Sequence, residues 1–154
     1  MTWQATEVTD PSAFPAATYW PAIPADKTAS EWRELRAWVE QLQKRFPHLD
    51  HHVIPQCWWR HNEHVEALVA LRDHERISYL PVAPATAPVE WMRALRDISA
   101  LLRAWAAEYA CGASHQEPQG TLRPDSWEGW QDFIADDVKR RGRGTSETKS
   151  SAAG

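Results

Sequence analysis

Residues 91–109, WMRALRDISALLRAWAAEY, decide the fold class. Trp91, Leu95, Ile98, Leu102, Trp105 and Tyr109 recur at steps of four, three, four, three and four. That spacing lines one face of an α-helix, and the intervening arginines, aspartate and alanines suit the opposite face. A seam sustained over so many turns predicts a helix that buries one whole side, with Gly112 just beyond it as the stop.

Upstream, Pro81, Pro84 and Pro88 fall in a stretch of mostly small residues, which reads as a connection rather than a domain boundary. Before it, Val65, Leu68, Val69 and Leu71 mark a second helix that starts between Trp58 and Asn62 and fades near Arg76. Earlier still, Thr28-x-x-Glu31 has the form of a capping box, and Trp32, Leu35, Val39, Leu42 and Phe46 follow at helical spacing until Pro47 ends the segment. Over residues 1–27, Pro11, Pro15, Pro21 and Pro24 alternate with Trp3, Phe14, Tyr19 and Trp20. Regular helix is excluded there, and an extended arm that docks in part through its aromatics is expected. Downstream, Asp125 can cap a short fourth helix with Trp127, Trp130, Ile134 and Val138 on one side. The expected organisation is an extended arm over 1–27, a single all-α domain over 28–138, and a disordered basic and polar tail over 139–154. The domain is expected to be a small bundle of three main helices plus a short C-terminal one.

Composition supports a globular domain. The chain has 154 residues, 43% of them hydrophobic, enough for one core, and its ten tryptophans make that core aromatic. No apolar run approaches the roughly 18 residues of a membrane span. Even the stretch from Ile98 to Cys111 carries Arg103 and Glu108. The acidic start, Met1 to Asp10, lacks a signal core, so the cytoplasm is the expected compartment. Seventeen basic against 21 acidic residues give a net charge of -4, which disfavours nucleic-acid binding by the whole surface. The exception is Lys139-Arg140-Arg141-Gly142-Arg143, a short basic run able to touch phosphates or an acidic partner.

The chemistry-bearing residues are two copies of one spacing. Cys57 is followed four residues later by His61, and Cys111 by His115, using both cysteines of the chain. Two thiolates and two imidazoles are a ligand set that tetrahedral zinc accepts. If the second and third helices pack antiparallel, the start of one lies beside the end of the other, where these pairs sit. A spacing of four puts each pair on one helical face or close together in a turn. Four protein ligands leave no position for an activated water, so the metal role would be structural. The N-terminal end of a helix dipole would favour the Cys57 thiolate, and the C-terminal end would disfavour that of Cys111 until a cation arrives. Two plainer readings use the same residues: a Cys57–Cys111 disulfide, and two cysteines buried as small apolar groups. A Cys57/His61 nucleophile pair is a third, without an identifiable orienting group or oxyanion site. His64, three residues beyond His61 on a similar face, is the best substitute ligand should the set be wrong in detail, and His48, His51 and His52 read as a solvated linker cluster. His74-Glu75 lacks the second histidine of a zinc-protease helix, and no phosphate-cradling glycine loop is present. Adjacent Trp58 and Trp59 cannot both face inward, and Trp58 is the one named as a partner contact.

Several of these segments resemble an uncharacterised actinobacterial family met near genes of plasmids, integrated conjugative elements and phages. The resemblance rests on residues 32–39, 55–61, 65–72, 90–95 and 111–115 and centres on Cys57-Trp58-Trp59-Arg60-His61. It covers roughly Tyr19 to His115. It implies that Cys57, His61, Cys111 and His115 belong together, and it implies no activity. Met92 stands where the family has a histidine after Trp91, so no metal or catalytic role carries over to that position. The expected function is a non-enzymatic, zinc-stabilised accessory or adaptor protein of a mobile element. Its contacts with an unknown protein partner would run through Trp58, Trp127 and Trp130. The alternatives are a nucleic-acid-binding regulator using Lys139, Arg140, Arg141 and Arg143, and a thiol-dependent enzyme. The seams of the first and third helices would serve a homodimer as readily as one bundle.

Overall fold

The computed structural model describes residues 15–112, 114–117 and 129–150. Four α-helices and two single 3-10 turns, without strands among these residues, make the chain all-α. α1 spans Ala25–Arg45, α2 Asn62–Ser78, α3 Ala87–Tyr109 and α4 Trp130–Ser150. The first three belong to one compact unit ending at Glu117, and α4 belongs to a second unit.

Within the first unit α2 is the central element, touching both α1 and α3. Its side chains show why. Val65, Leu68, Val69 and Leu71 are buried, and so are the polar His64, Arg72, Asp73 and Ser78, so that burial extends well beyond one apolar stripe. Two cross-links show that α2 and α3 run antiparallel. The Tyr109 hydroxyl at the end of α3 donates to Glu63 at the start of α2, and the Trp91 indole N–H near the start of α3 donates to the Leu71 carbonyl at 3.2 Å. α1 crosses the later part of α2, where the Trp38 indole and Arg45 both reach Glu75 and Arg76 pairs with Glu34.

The expected seams become the core. Leu35, Val39 and Leu42 of α1 meet Leu68 and Val69 of α2 and Trp91, Leu95 and Leu102 of α3 in one buried cluster, with Trp32, Phe46, Ile98 and Trp105 partly buried against it. The loop between α1 and α2 contributes as well. Leu49, Val53 and Ile54 are at most 3% exposed, so this segment is part of the core rather than a plain linker, although His48, His51 and His52 stay exposed on it. On the arm, the Trp20 ring packs edge-on against Trp32 at 4.7 Å, and the Thr18 N–H donates to Asp73 at 2.7 Å.

Three boundaries differ from the sequence reading. α1 begins at Ala25 with Pro24 as its N-cap, so Thr28 lies inside the first turn, where its hydroxyl donates to the Pro24 carbonyl instead of capping. α4 is a 21-residue helix, Trp130–Ser150, and continues through the basic run assigned to a disordered tail. The proposed cap at Asp125, and Trp127, lie outside the described residues. Trp130, Phe133, Ile134 and Val138 line an exposed stripe of α4, with Trp130 and Phe133 rings stacked at 6.1 Å.

The third difference is the stop of α3. The left-handed residue that ends it is Ala110 (φ 51°), not Gly112. An alanine carries a Cβ penalty in that conformation of roughly 1–2 kcal/mol that glycine escapes. Ala110→Gly should therefore raise the unfolding free energy by about 1 kcal/mol in urea titration.

Candidate metal centre

Local turns, rather than helix faces, bring the ligand atoms together. A 3-10 turn over Trp58–Arg60, with Cys57 as its N-cap, closes by the Arg60 N–H to Cys57 carbonyl bond. It delivers His61, the N-cap of α2, back beside Cys57. The left-handed Ala110 likewise turns the chain off the end of α3, so that Cys111 and His115 return toward the start of α2. The antiparallel pairing of α2 and α3 does the rest.

The four ligand atoms lie within 4.8 Å of one another. His61 Nε2 is 3.5 Å from Cys57 Sγ and 3.3 Å from Cys111 Sγ, and His115 Nδ1 is 3.9 Å from Cys111 Sγ. This cluster can hold one metal ion. His61 is 1% exposed, whereas both cysteines and His115 are half-buried along a cavity of about 390 Å³ that also touches His51, Trp59 and Arg60. The cavity gives an entry path to the cluster.

Surrounding groups fix the orientation of each ligand. The His61 ring is stacked flat on Tyr109 at 3.8 Å with 5° between planes. His115 turns its Nε2 to Glu117 Oε1 at 2.9 Å, which leaves Nδ1 for the cluster, and Arg60 approaches the same carboxylate at 3.4 Å. The Gln116 backbone N–H donates to Cys111 Sγ at 3.3 Å, a contact that favours the thiolate. A carboxylate behind a ligating histidine and an amide on a ligating sulfur are the supports that raise metal affinity. Sequence reasoning missed Tyr109, Gln116 and Glu117 in these roles. Only the position of Glu117 two residues after His115 hinted at the last. Glu117→Ala is expected to weaken metal binding by roughly 10–100-fold in a chelator competition, with the helical content unchanged.

Titration behaviour follows burial. Desolvation, followed by the neighbouring Cys111, pushes the Cys57 thiol above its usual value, so the dipole advantage expected for it does not prevail. Burial lowers His61, with His115 adding to the effect, and burial also lowers His64. Tyr109 is held well above the usual phenol range by burial and by Glu63. A histidine depressed in the folded state stabilises above its unfolded value of about 6.5 and loses that contribution as pH falls. A raised thiol stabilises below its unfolded value of about 8.5 and loses that contribution as pH rises. Thermal melts of chelator-treated protein should therefore show a plateau between about pH 6.5 and 8.5 and a decline on both sides.

Other candidates separate clearly. His64 is not a member of the cluster of four, and its Nε2 lies 2.9 Å from the Val53 carbonyl. Asp50, His51 and His52 also converge, but all three are exposed, and Asp50 accepts the His52 backbone N–H at 2.9 Å as in an ordinary turn. Trp58 is 9% exposed and belongs to the core, so its assignment as a partner contact is corrected. Trp59, 55% exposed, is the outward member of the pair. Met92 is exposed. Lys139, Arg140, Arg141 and Arg143 lie on α4, where Asp137 pairs with both Arg140 and Arg141. Among the described residues no helix is long and apolar enough to cross a membrane. Compared with protein-family models, curated proteins and solved structures, the chain matches none of them.

Proposed function

We propose that this protein is a non-enzymatic adaptor of the cytoplasm whose helical unit is tied by a structural zinc ion on Cys57, His61, Cys111 and His115, and whose partner is another protein. The observation that carries the reading is the spacing of the ligand atoms. Zinc bonds of about 2.3 Å to sulfur and about 2.0–2.1 Å to nitrogen put a sulfur and a nitrogen roughly 3.5 Å apart at two corners of a tetrahedron. Three of the four sulfur–nitrogen separations are 3.3, 3.5 and 3.9 Å, and all four ligand atoms lie within 4.8 Å of one another. Two sulfurs and two nitrogens also suit zinc better than the oxygen-seeking calcium or magnesium. A full set of four protein ligands leaves no position for a reacting water, so the ion acts by joining the start of α2 to the end of α3.

The contact surface in this reading is the α4 stripe of Trp130, Phe133, Ile134 and Val138, since exposed aromatic and branched residues at helical spacing are what a partner groove accepts. A role in a mobile element rests on the family resemblance alone. The test is affinity capture with wild-type protein and with Trp130→Ser/Phe133→Ser, both checked for unchanged zinc content. A stoichiometric protein partner retained by the first and lost by the second is expected. Salt-sensitive binding of DNA or RNA, abolished by deleting residues 139–154 and untouched by the double substitution, would contradict the adaptor reading and favour a nucleic-acid-binding regulator.

A further inference from the structure

His61 and His64 share an oddity that a metal centre alone does not explain. Each has its Nδ1 atom buried and, among the described residues, without a hydrogen-bond partner, the residues themselves being 1% and 0% exposed. A buried polar atom left unpaired is costly, so two of them in neighbouring rings call for a shared solution. Their ring centres are 6.2 Å apart. That separation is too long for a direct bond between the two Nδ1 atoms, so a bond joining them must pass through a third group, for which a water is the smallest choice.

The proton positions make the two atoms complementary. His64 Nε2 faces the Val53 carbonyl, which can only accept, so Nε2 carries the proton and Nδ1 offers a lone pair. His61 Nε2 faces both sulfurs, and as a ligand there it must be bare, so its Nδ1 carries the proton. One nitrogen is therefore a donor and the other an acceptor. Tyr109 lies flat against His61 at 3.8 Å and tilted toward His64 at 5.4 Å, while Trp105 meets His64 at 6.3 Å, so aromatic walls surround the pair.

We propose that His61 and His64 bind one buried water between their Nδ1 atoms, which makes His64 a positioning residue for the metal ligand His61. The water accepts from His61 Nδ1–H and donates to His64 Nδ1. A relay then runs from the metal through His61, the water and His64 to the Val53 carbonyl, and it fixes the His61 tautomer that leaves Nε2 free to ligate. The inference rests on the zinc reading given above.

Two substitutions separate this role from simple packing. His64→Gln keeps a donor near the Nε2 position for the Val53 carbonyl and removes the acceptor at Nδ1. His64→Asn places an amide oxygen near the Nδ1 position and gives up the Val53 bond. In zinc competition against a chelator, the glutamine variant should bind roughly 10–100-fold more weakly than wild type, and the asparagine variant should recover most of that loss. Imidazole ¹⁵N spectra of zinc-loaded wild type should show His64 protonated at Nε2, His61 protonated at Nδ1, and a slowly exchanging water near both. The reverse ranking of the two variants, or His64 protonated at Nδ1, would overturn the proposal while leaving the zinc site standing. Native mass of the same wild-type sample supplies the separate check, since protein that takes up no zinc overturns both readings together.

Discussion

Cys111→Ser is expected to abolish stoichiometric zinc binding and to lower the melting temperature by roughly 10 °C or more, the largest effect of any single substitution considered. The magnitude follows from linkage. A ligand that binds only the folded state stabilises it by about 4 kcal/mol when free metal stands roughly a thousandfold above its dissociation constant. A unit of this size shifts by several degrees for each kcal/mol. Cys111 is the most connected of the four ligands, meeting His61 at 3.3 Å and His115 at 3.9 Å and accepting the Gln116 amide. Removing it also frees the turn that brings His115 and Glu117 back to α2. Chelator supplies the control: stripped wild type should melt close to the substituted protein. If Cys111 served only as a small buried apolar group, chelator would leave wild type unchanged while the serine substitution still destabilised it.

Arg72→Leu should rank next, with a loss of about 3–5 kcal/mol in urea titration. The Arg72 side chain is fully buried in the centre of α2, yet it is charged. Its guanidinium donates to Asp73 at 3.1 Å, to Glu31 of α1 at 3.4 Å and to the Thr18 hydroxyl of the arm at 3.3 Å. Asp73 in turn accepts the Thr18 backbone N–H at 2.7 Å. One cation thus joins arm, α1 and α2, and deleting it leaves Asp73, itself 7% exposed, without a counter-charge among the described residues. The cost comes chiefly from that stranded carboxylate. Arg72→Leu combined with Asp73→Asn should therefore recover a good part of the loss, since asparagine still accepts from Thr18 without a buried charge. A double variant no more stable than the single one would show instead that the packing of the arginine stem carries the effect.

The parts of the structure legible in the sequence were those governed by periodicity. The α3 seam from Trp91 to Tyr109 and the α1 seam from Trp32 to Phe46 both face the core because a 3.6-residue repeat leaves them no other use. The Cys/His pairs were legible because two rare residue types share one spacing, and the antiparallel packing of α2 on α3 brings them into one cluster. What escaped depends on how the chain turns or on what surrounds a residue in space. Ala110 takes the left-handed position although Gly112 is the residue suited to it, because the reversal must occur before Cys111 if that sulfur is to reach His61. Arg72 reads as one more solvated charge, and only the approach of the arm and of Glu31 makes it interior. Trp58 and Trp59 are equivalent in sequence, and the 3-10 turn decides which of them points inward. Likewise, Glu117 becomes a partner of His115 only after the turn beyond Cys111 has folded.

Native and denaturing mass spectrometry of one preparation, purified without added metal or chelator and accompanied by a free-thiol count, tests the central claim most directly. The account predicts one zinc per chain in the native spectrum, its loss on denaturation, two cysteines that become reactive only then, and no zinc in Cys57→Ser or Cys111→Ser. A native mass equal to that of the bare chain, with both thiols free or joined as a disulfide, would contradict it.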